Sequence, residues 1–216
     1  MFKSIGRRLQ VQFGPPEAVQ DPAGEPSGTR PAVSPIDFVA FGQEVLLSGR
    51  VSLRAERLTD MLNEHDEYLL TDVVCHGLAD GVGVEVPEFL IRRDELLLVH
   101  ATGPRGNRER RINTRAAPMV IQIGPYRLHG DLHSRPGSNP LNQLRHRKAM
   151  VPMTDAWLEF SFAGELQERR LSTIIVNRER IDWISLAADD GFAMLELPRE
   201  RSSHPLVKDF TGTLYG

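Results

Sequence analysis

Apolar and polar residues alternate over Val45, Leu47, Gly49, Val51 and Leu53, the period-two pattern of a strand with one buried face. Leu58, Met61 and Leu62 then fall at helical spacing, which predicts one short amphipathic helix over Ala55 to Glu64. A strand follows from Tyr68 to Leu78, Asp80-Gly81 with Gly83 signals its turn, and further strands are expected over Val86 to Arg92 and Leu96 to Ala101. The same order returns downstream. Tyr126, Leu128, Gly130 and Leu132 alternate, and Asn139-Pro140 offers a helix cap and a first-turn proline ahead of Leu141 and Leu144. Val151, Met153, Phe160 and Phe162 mark a long strand that turns at Ala163-Gly164. Leu171, Thr173 and Ile175 mark its return, Ile181, Trp183 and Ile184 the next strand, and Phe192 to Leu197 an extra one after Asp189-Asp190-Gly191.

Three landmarks tie the two stretches together. Leu47-Ser48-Gly49-Arg50-Val51 aligns with Leu128-His129-Gly130-Asp131-Leu132, Thr71-Asp72 with Thr154-Asp155, and Ile91 to Leu96 with Val176 to Ile181. The offset drifts only from 81 through 83 to 85, with the drift falling where loops would lie, as expected of an internal duplication. The expected fold is therefore mainly β: two tandem small β-barrel or curled-sheet modules, each with one short inserted helix. Residues 1–35, rich in Pro, Gly, Glu and Ser, form a flexible tail, 36–102 the first module, 103–118 an Arg-rich linker, 119–198 the second module and 199–216 a C-terminal tail.

Glu56-Arg57-Leu58-Thr59-Asp60-Met61-Leu62-Asn63, Leu70-Thr71-Asp72-Val73 and the apolar strand Leu96 to Val99 resemble a bacterial small β-domain family of unassigned function, over about residues 45 to 100. The second copy keeps only the framework, with Asn139 to Leu144 in place of the first helix sequence. The resemblance implies the fold and no activity.

The net charge of −3 argues against a generally basic nucleic-acid binder. Cys75 alone cannot form an intrachain disulfide, and with no apolar run long enough to span a bilayer the expected location is cytoplasmic. Lysine occurs only at Lys3, Lys148 and Lys208, and the arginines are spread over every segment, as codon bias in a GC-rich genome would leave them.

Candidate chemistry is sparse. Asp72 and Asp155 at equivalent places suit a structural task performed twice better than an acid–base pair, which needs one shared cleft. His129 and His133 on one strand would stand roughly 13 Å apart, too far for one zinc ion. Adjacent Cys75 and His76 point to opposite strand faces, and Gly103-Pro104-Arg105-Gly106 lacks the Lys-Ser/Thr ending of a phosphate loop. No catalytic residue, metal ligand or cofactor is assigned. Arg105, Arg108, Arg110, Arg111 and Arg115, with Arg145, Arg147 and Lys148, are candidates for gripping nucleic acid or an acidic surface, although no aromatic residues interleave the first group. The helical segments differ in sign: −3 over Arg54 to Glu67 and +4 over Arg135 to Lys148, a complementarity that would align the modules within a chain or join copies head to tail.

The ends carry partner-binding candidates. Phe2, Ile5 and Leu9 at helical spacing beside Arg7 and Arg8 suit a partner groove or a peripheral contact with an anionic membrane. Phe210, Leu214 and Tyr215 lie in an apolar terminus similar to the Gly-Ser-Leu-x-Gly docking peptides of encapsulin cargo, with different upstream spacing. The expected function is a non-enzymatic interaction or scaffolding protein, a homo-oligomer recruited to a protein partner or surface through its ends. The alternatives are a nucleic-acid-binding regulator and a cargo or component docked to a protein shell.

Overall fold

Two strands contain an aspartate with left-handed backbone, and the sheet bends around them. In the computed structural model, which describes residues 35–104 and 113–187, Asp72 has φ 52° and Asp155 φ 49°. Each sits in a β-bulge where two residues oppose one glycine: Asp72-Val73 face Gly49, and Asp155-Ala156 face Gly130. Aspartate is among the few residues that enter this region at small cost, because its short side chain can bond locally. The facing glycines are needed for space. A Cβ on Gly49 would meet the Thr71 carbonyl at 3.0 Å, and one on Gly130 the Thr154 carbonyl at 3.2 Å.

The first half runs β1 (Pro35–Phe41), β2 (Val45–Ser52), α1 (Leu58–Glu64), β3 (Glu67–Gly77), β4 (Gly83–Arg92), a 3-10 turn (Arg93–Glu95) and β5 (Leu98–His100). The second runs β6 (Arg115–Ile123), β7 (Tyr126–Ser134), α2 (Pro140–Arg145), β8 (Met150–Phe162), β9 (Glu165–Asn177), a 3-10 turn (Arg178–Arg180) and β10 (Trp183–Leu186). Among the described residues all pairings are antiparallel and give one ten-stranded sheet in the order β10-β6-β7-β8-β9-β5-β1-β2-β3-β4. That order is open: among the described residues β4 and β10 are edges, and neither half closes into a hydrogen-bonded barrel.

The offsets seen in the sequence recur in the ladders. Leu47↔Cys75 corresponds to Leu128↔Leu158, Thr71↔Glu88 to Thr154↔Thr173, and Phe41↔Leu98 to Gln122↔Trp183. Shifts of 81 residues for the first two strands, 83 for the third and 85 for the last two map every ladder of one half onto the other in register.

Two strand segments depart from the sequence reading. Neither β1, which follows the Pro- and Ser-rich stretch in sequence, nor β6, whose Arg115 to Pro118 were expected in the linker, is among the expected strands. The helix expected from Ala55 starts at Leu58, whereas α2 has the expected cap: Asn139 Oδ1 accepts from the Asn142 N–H at 3.1 Å. The extra strand Phe192 to Leu197 lies outside the described residues.

The halves share their core. Leu97 and Leu98 pack in the cluster of the second half, and Met150 and Ile175 in that of the first. Separating them would expose Leu98, Val99, Ile174, Ile175 and Val176, all buried. At roughly 2 kcal/mol per large apolar side chain this is on the order of 10 kcal/mol, comparable to the stability of a whole domain.

Candidate functional site

A cleft of about 490 Å³ opens on the second half where the bulge of β8 bends the sheet, and Gly130 forms part of its lining. His129 and Trp157 stand on it with ring centroids 5.9 Å apart, and Asp131, Asp155 and Arg170 supply its charges. Burial holds the His129 imidazole below the usual histidine range, with Glu159 opposing and Arg127 adding to the shift. At neutral pH the ring is therefore an uncharged aromatic neighbour of the indole rather than a cation on it.

Beside the cleft, His133 Nε2 lies 2.8 Å from Thr154 Oγ1, which is half of a nucleophile–base arrangement. Its other nitrogen, Nδ1, faces the Thr114 hydroxyl at 3.3 Å. A neutral hydroxyl does not stabilise an imidazolium as a buried carboxylate does, so the group ties β8 to β7 and to the chain entering β6 without forming a relay. Sequence reading had no signal for this pair, whose members are 21 residues apart. Cys75 is half-buried with its thiol pushed up by burial, and so is poorly ionised for nucleophilic or metal chemistry. No three potential metal ligands come together among the described residues.

The structure gathers part of the basic set. Arg115 pairs with Ser134, the next residue, Arg135, donates its N–H to Gln143 Oε1 of α2, and the Arg147 guanidinium donates to the His133 carbonyl. Arg115, Arg145 and Lys148 are exposed at this end of the second half, but Arg147 is half-buried and committed to backbone. Arg105, Arg108, Arg110 and Arg111 lie outside the described residues, as do Phe2, Ile5, Arg7, Arg8, Leu9, Phe210, Leu214 and Tyr215.

The sheet edges form the other unusual surface. On β4, Leu90 is 62% and Val84 57% exposed, and on β10, Trp183 and Leu186 are each 47% exposed. Scattered single apolar residues are ordinary on surfaces, but two edge strands that each present several are sites for pairing with another chain. No helix of the described residues is long and apolar enough to cross a membrane. No family model matches the chain, and searches of curated proteins and of solved structures yield no match either.

Proposed function

We propose that the chain is a non-enzymatic scaffold of the cytoplasm: two tandem copies of the small curled β-module that residues 45 to 100 resemble, which self-associate and recruit a partner or surface through the terminal segments. The duplication is supported by ladder registers that repeat with the offsets of the sequence. The observation that carries self-association is the apolar character of the two edges left open among the described residues. Leu90 and Trp183 stand at positions whose counterparts, Ile175 and Leu98, are fully buried where the halves meet. The native mass of the untagged full-length protein, taken at two ionic strengths with nucleic acid left in place, tests this. A discrete multiple of the chain mass is expected, and a bare single chain at both ionic strengths would overturn it.

A second reading, nucleic-acid binding, is favoured by one observation: Arg115, Arg145 and Lys148 share one end of the second half. It requires an excess mass that nuclease removes, and an affinity that falls steeply with salt because each phosphate contact releases counterions. The cleft, beside which His133 and Thr154 form no charge relay, gives no comparable support for an enzyme.

A further inference from the structure

The seam between the halves is heterologous: it joins β5 of the first to β9 of the second through Leu98↔Val176, Val99↔Ile175 and His100↔Ile174. Its two surfaces differ, so each half is left with one of them unused, β4 on the first and β10 on the second. The 85-residue shift carries β5 onto β10 and β9 onto β4. Translated in this way, the seam would set Trp183 against Ile91, Ile184 against Leu90 and Ser185 against Phe89. Five of these six residues are apolar, as are five of the six in the seam. Among the described residues their backbones have a strand neighbour on one side only, which leaves a row of amide groups available for pairing.

Charge fits the same translation. Within the chain the end of α1 lies on the start of β8, where Asn63 Oδ1 accepts from the Met150 N–H at 3.0 Å and Asn63 Nδ2 donates to the Met150 carbonyl at 2.8 Å. The corresponding contact between copies brings the end of α2, with Arg145 and His146, to Asp66 and Glu67 at the start of β3. Likewise Asn177, whose N–H donates to the Leu97 carbonyl at 2.9 Å, has Arg92 as its counterpart, and Leu97 has Asp182. Opposite charges thus meet at two places on the translated seam.

Resting on the self-association reading above, we propose that copies of this chain assemble head to tail, β4 of one pairing antiparallel with β10 of the next in the register of the internal seam. A second copy is the occupant because the surface that each edge requires is the one the chain carries at its other end. A heterologous contact of this kind closes into a ring when its rotations complete a turn and otherwise extends as a filament.

Two full-length variants, Leu90→Lys and Trp183→Lys, each place a charge on one edge at an exposed position, with circular dichroism and thermal melts to show that each is folded. The native masses of wild type, each variant and their mixture are then compared. The expected result is a larger assembly for wild type, a single-chain mass for each variant alone, and a one-to-one dimer on mixing, because each variant retains the edge that the other needs. A wild-type assembly that neither substitution changes would overturn the edge pairing while leaving self-association standing. Either variant remaining a dimer by itself would overturn the head-to-tail mode. A single-chain wild type would overturn both readings, and protection of its β4 and β10 amides from hydrogen exchange would assign those edges to another segment of the same chain.

Discussion

Asn177 is the polar group on which the inner seam most directly depends. Its side chain is buried, with 1% of its surface exposed. Nδ2 donates to the carbonyls of Arg93 at 3.1 Å and Leu96 at 2.9 Å, both in the first half, while Oδ1 accepts from the Glu179 N–H at 3.2 Å and caps the turn that follows β9. Asn177→Ala removes all three. Each bond contributes about 1 kcal/mol net, and a buried carbonyl left without a donor costs about 1 to 3 kcal/mol. The Glu179 amide can turn to solvent, so the two seam carbonyls dominate and the expected loss is about 2 to 4 kcal/mol. Asn177→Asp keeps the cap but aims a second acceptor at the same carbonyls, and is expected to cost at least as much at neutral pH. Arg92→Ala, at the counterpart position with an exposed side chain, serves as the control, with an effect below about 0.5 kcal/mol. Urea unfolding followed by circular dichroism reads the midpoint and slope, and one transition is expected because the halves share their core. Asn177→Ala within about 1 kcal/mol of wild type would refute the assignment, as would a two-step transition in wild type showing that one half survives alone.

Three further outcomes follow from the same geometry. Asp155→Gly should leave the melting temperature within a few degrees of wild type, whereas Asp155→Val, which puts a β-branched residue at φ 49°, should cost about 1 to 3 kcal/mol by thermal denaturation. Tyr126→Phe removes the bond from the buried phenol to the Gly42 carbonyl at 2.8 Å and should destabilise by about 1 to 3 kcal/mol in the same assay. Burial on β5 lowers the His100 pKa, so the unfolded chain binds its proton more readily; stability should hold above about pH 6.5 and fall as the pH drops below it, by less than about 1.4 kcal/mol per pH unit from this group. His100→Gln should flatten that slope in melts from pH 8 to 5, and an unchanged slope would remove His100 as its source.

The strands that alternate over a long run were legible in the sequence because a half-buried ladder writes its period directly into the residues. Tyr126 to Leu132 shows this, whereas in β2 Val45 is exposed and the adjacent Leu46 and Leu47 are both buried, and Asn139-Pro140 marked α2 through cap chemistry that is local. β1 was not legible: Pro35 and Asp37 interrupt a run that follows a Pro- and Ser-rich stretch, and Ile36, Phe38 and Ala40 give only three alternating positions. β6 was not legible for a similar reason, since Pro118 and the arginines before it look like a linker although Pro118 pairs with Asp131 inside the sheet. The Thr-Asp matches carried the correct inference of a structural task performed twice, but the task itself, a left-handed residue in a bulge, needed the facing glycines to be seen. The β5–β9 pairing had no local signature at all, because Leu98 and Val176 meet across 78 residues.

That pairing also explains where the two halves differ most. At the inner seam Asn177 satisfies backbone within a dry contact, and the flanking residues Leu98, Val99 and Ile175 are aliphatic and fully buried. At the counterpart positions on the free edges stand Arg92, Trp183, Ile184 and Leu90: a charge replaces the amide, and a large amphipathic ring replaces an aliphatic side chain. On the proposed head-to-tail pairing, this is the difference in composition between a core, which never meets water after folding, and an interface, which must be soluble before it associates. The helices follow the same division, with an acidic α1 segment tied by Asn63 to β8 and a basic α2 segment whose counterpart surface, on the head-to-tail arrangement, would lie on another copy. On the head-to-tail arrangement, raising the ionic strength should therefore weaken the contact between copies while leaving the unfolding midpoint of the single chain nearly unchanged, since the inner seam is held by the buried aliphatic residues Leu98, Val99, Ile175 and Val176.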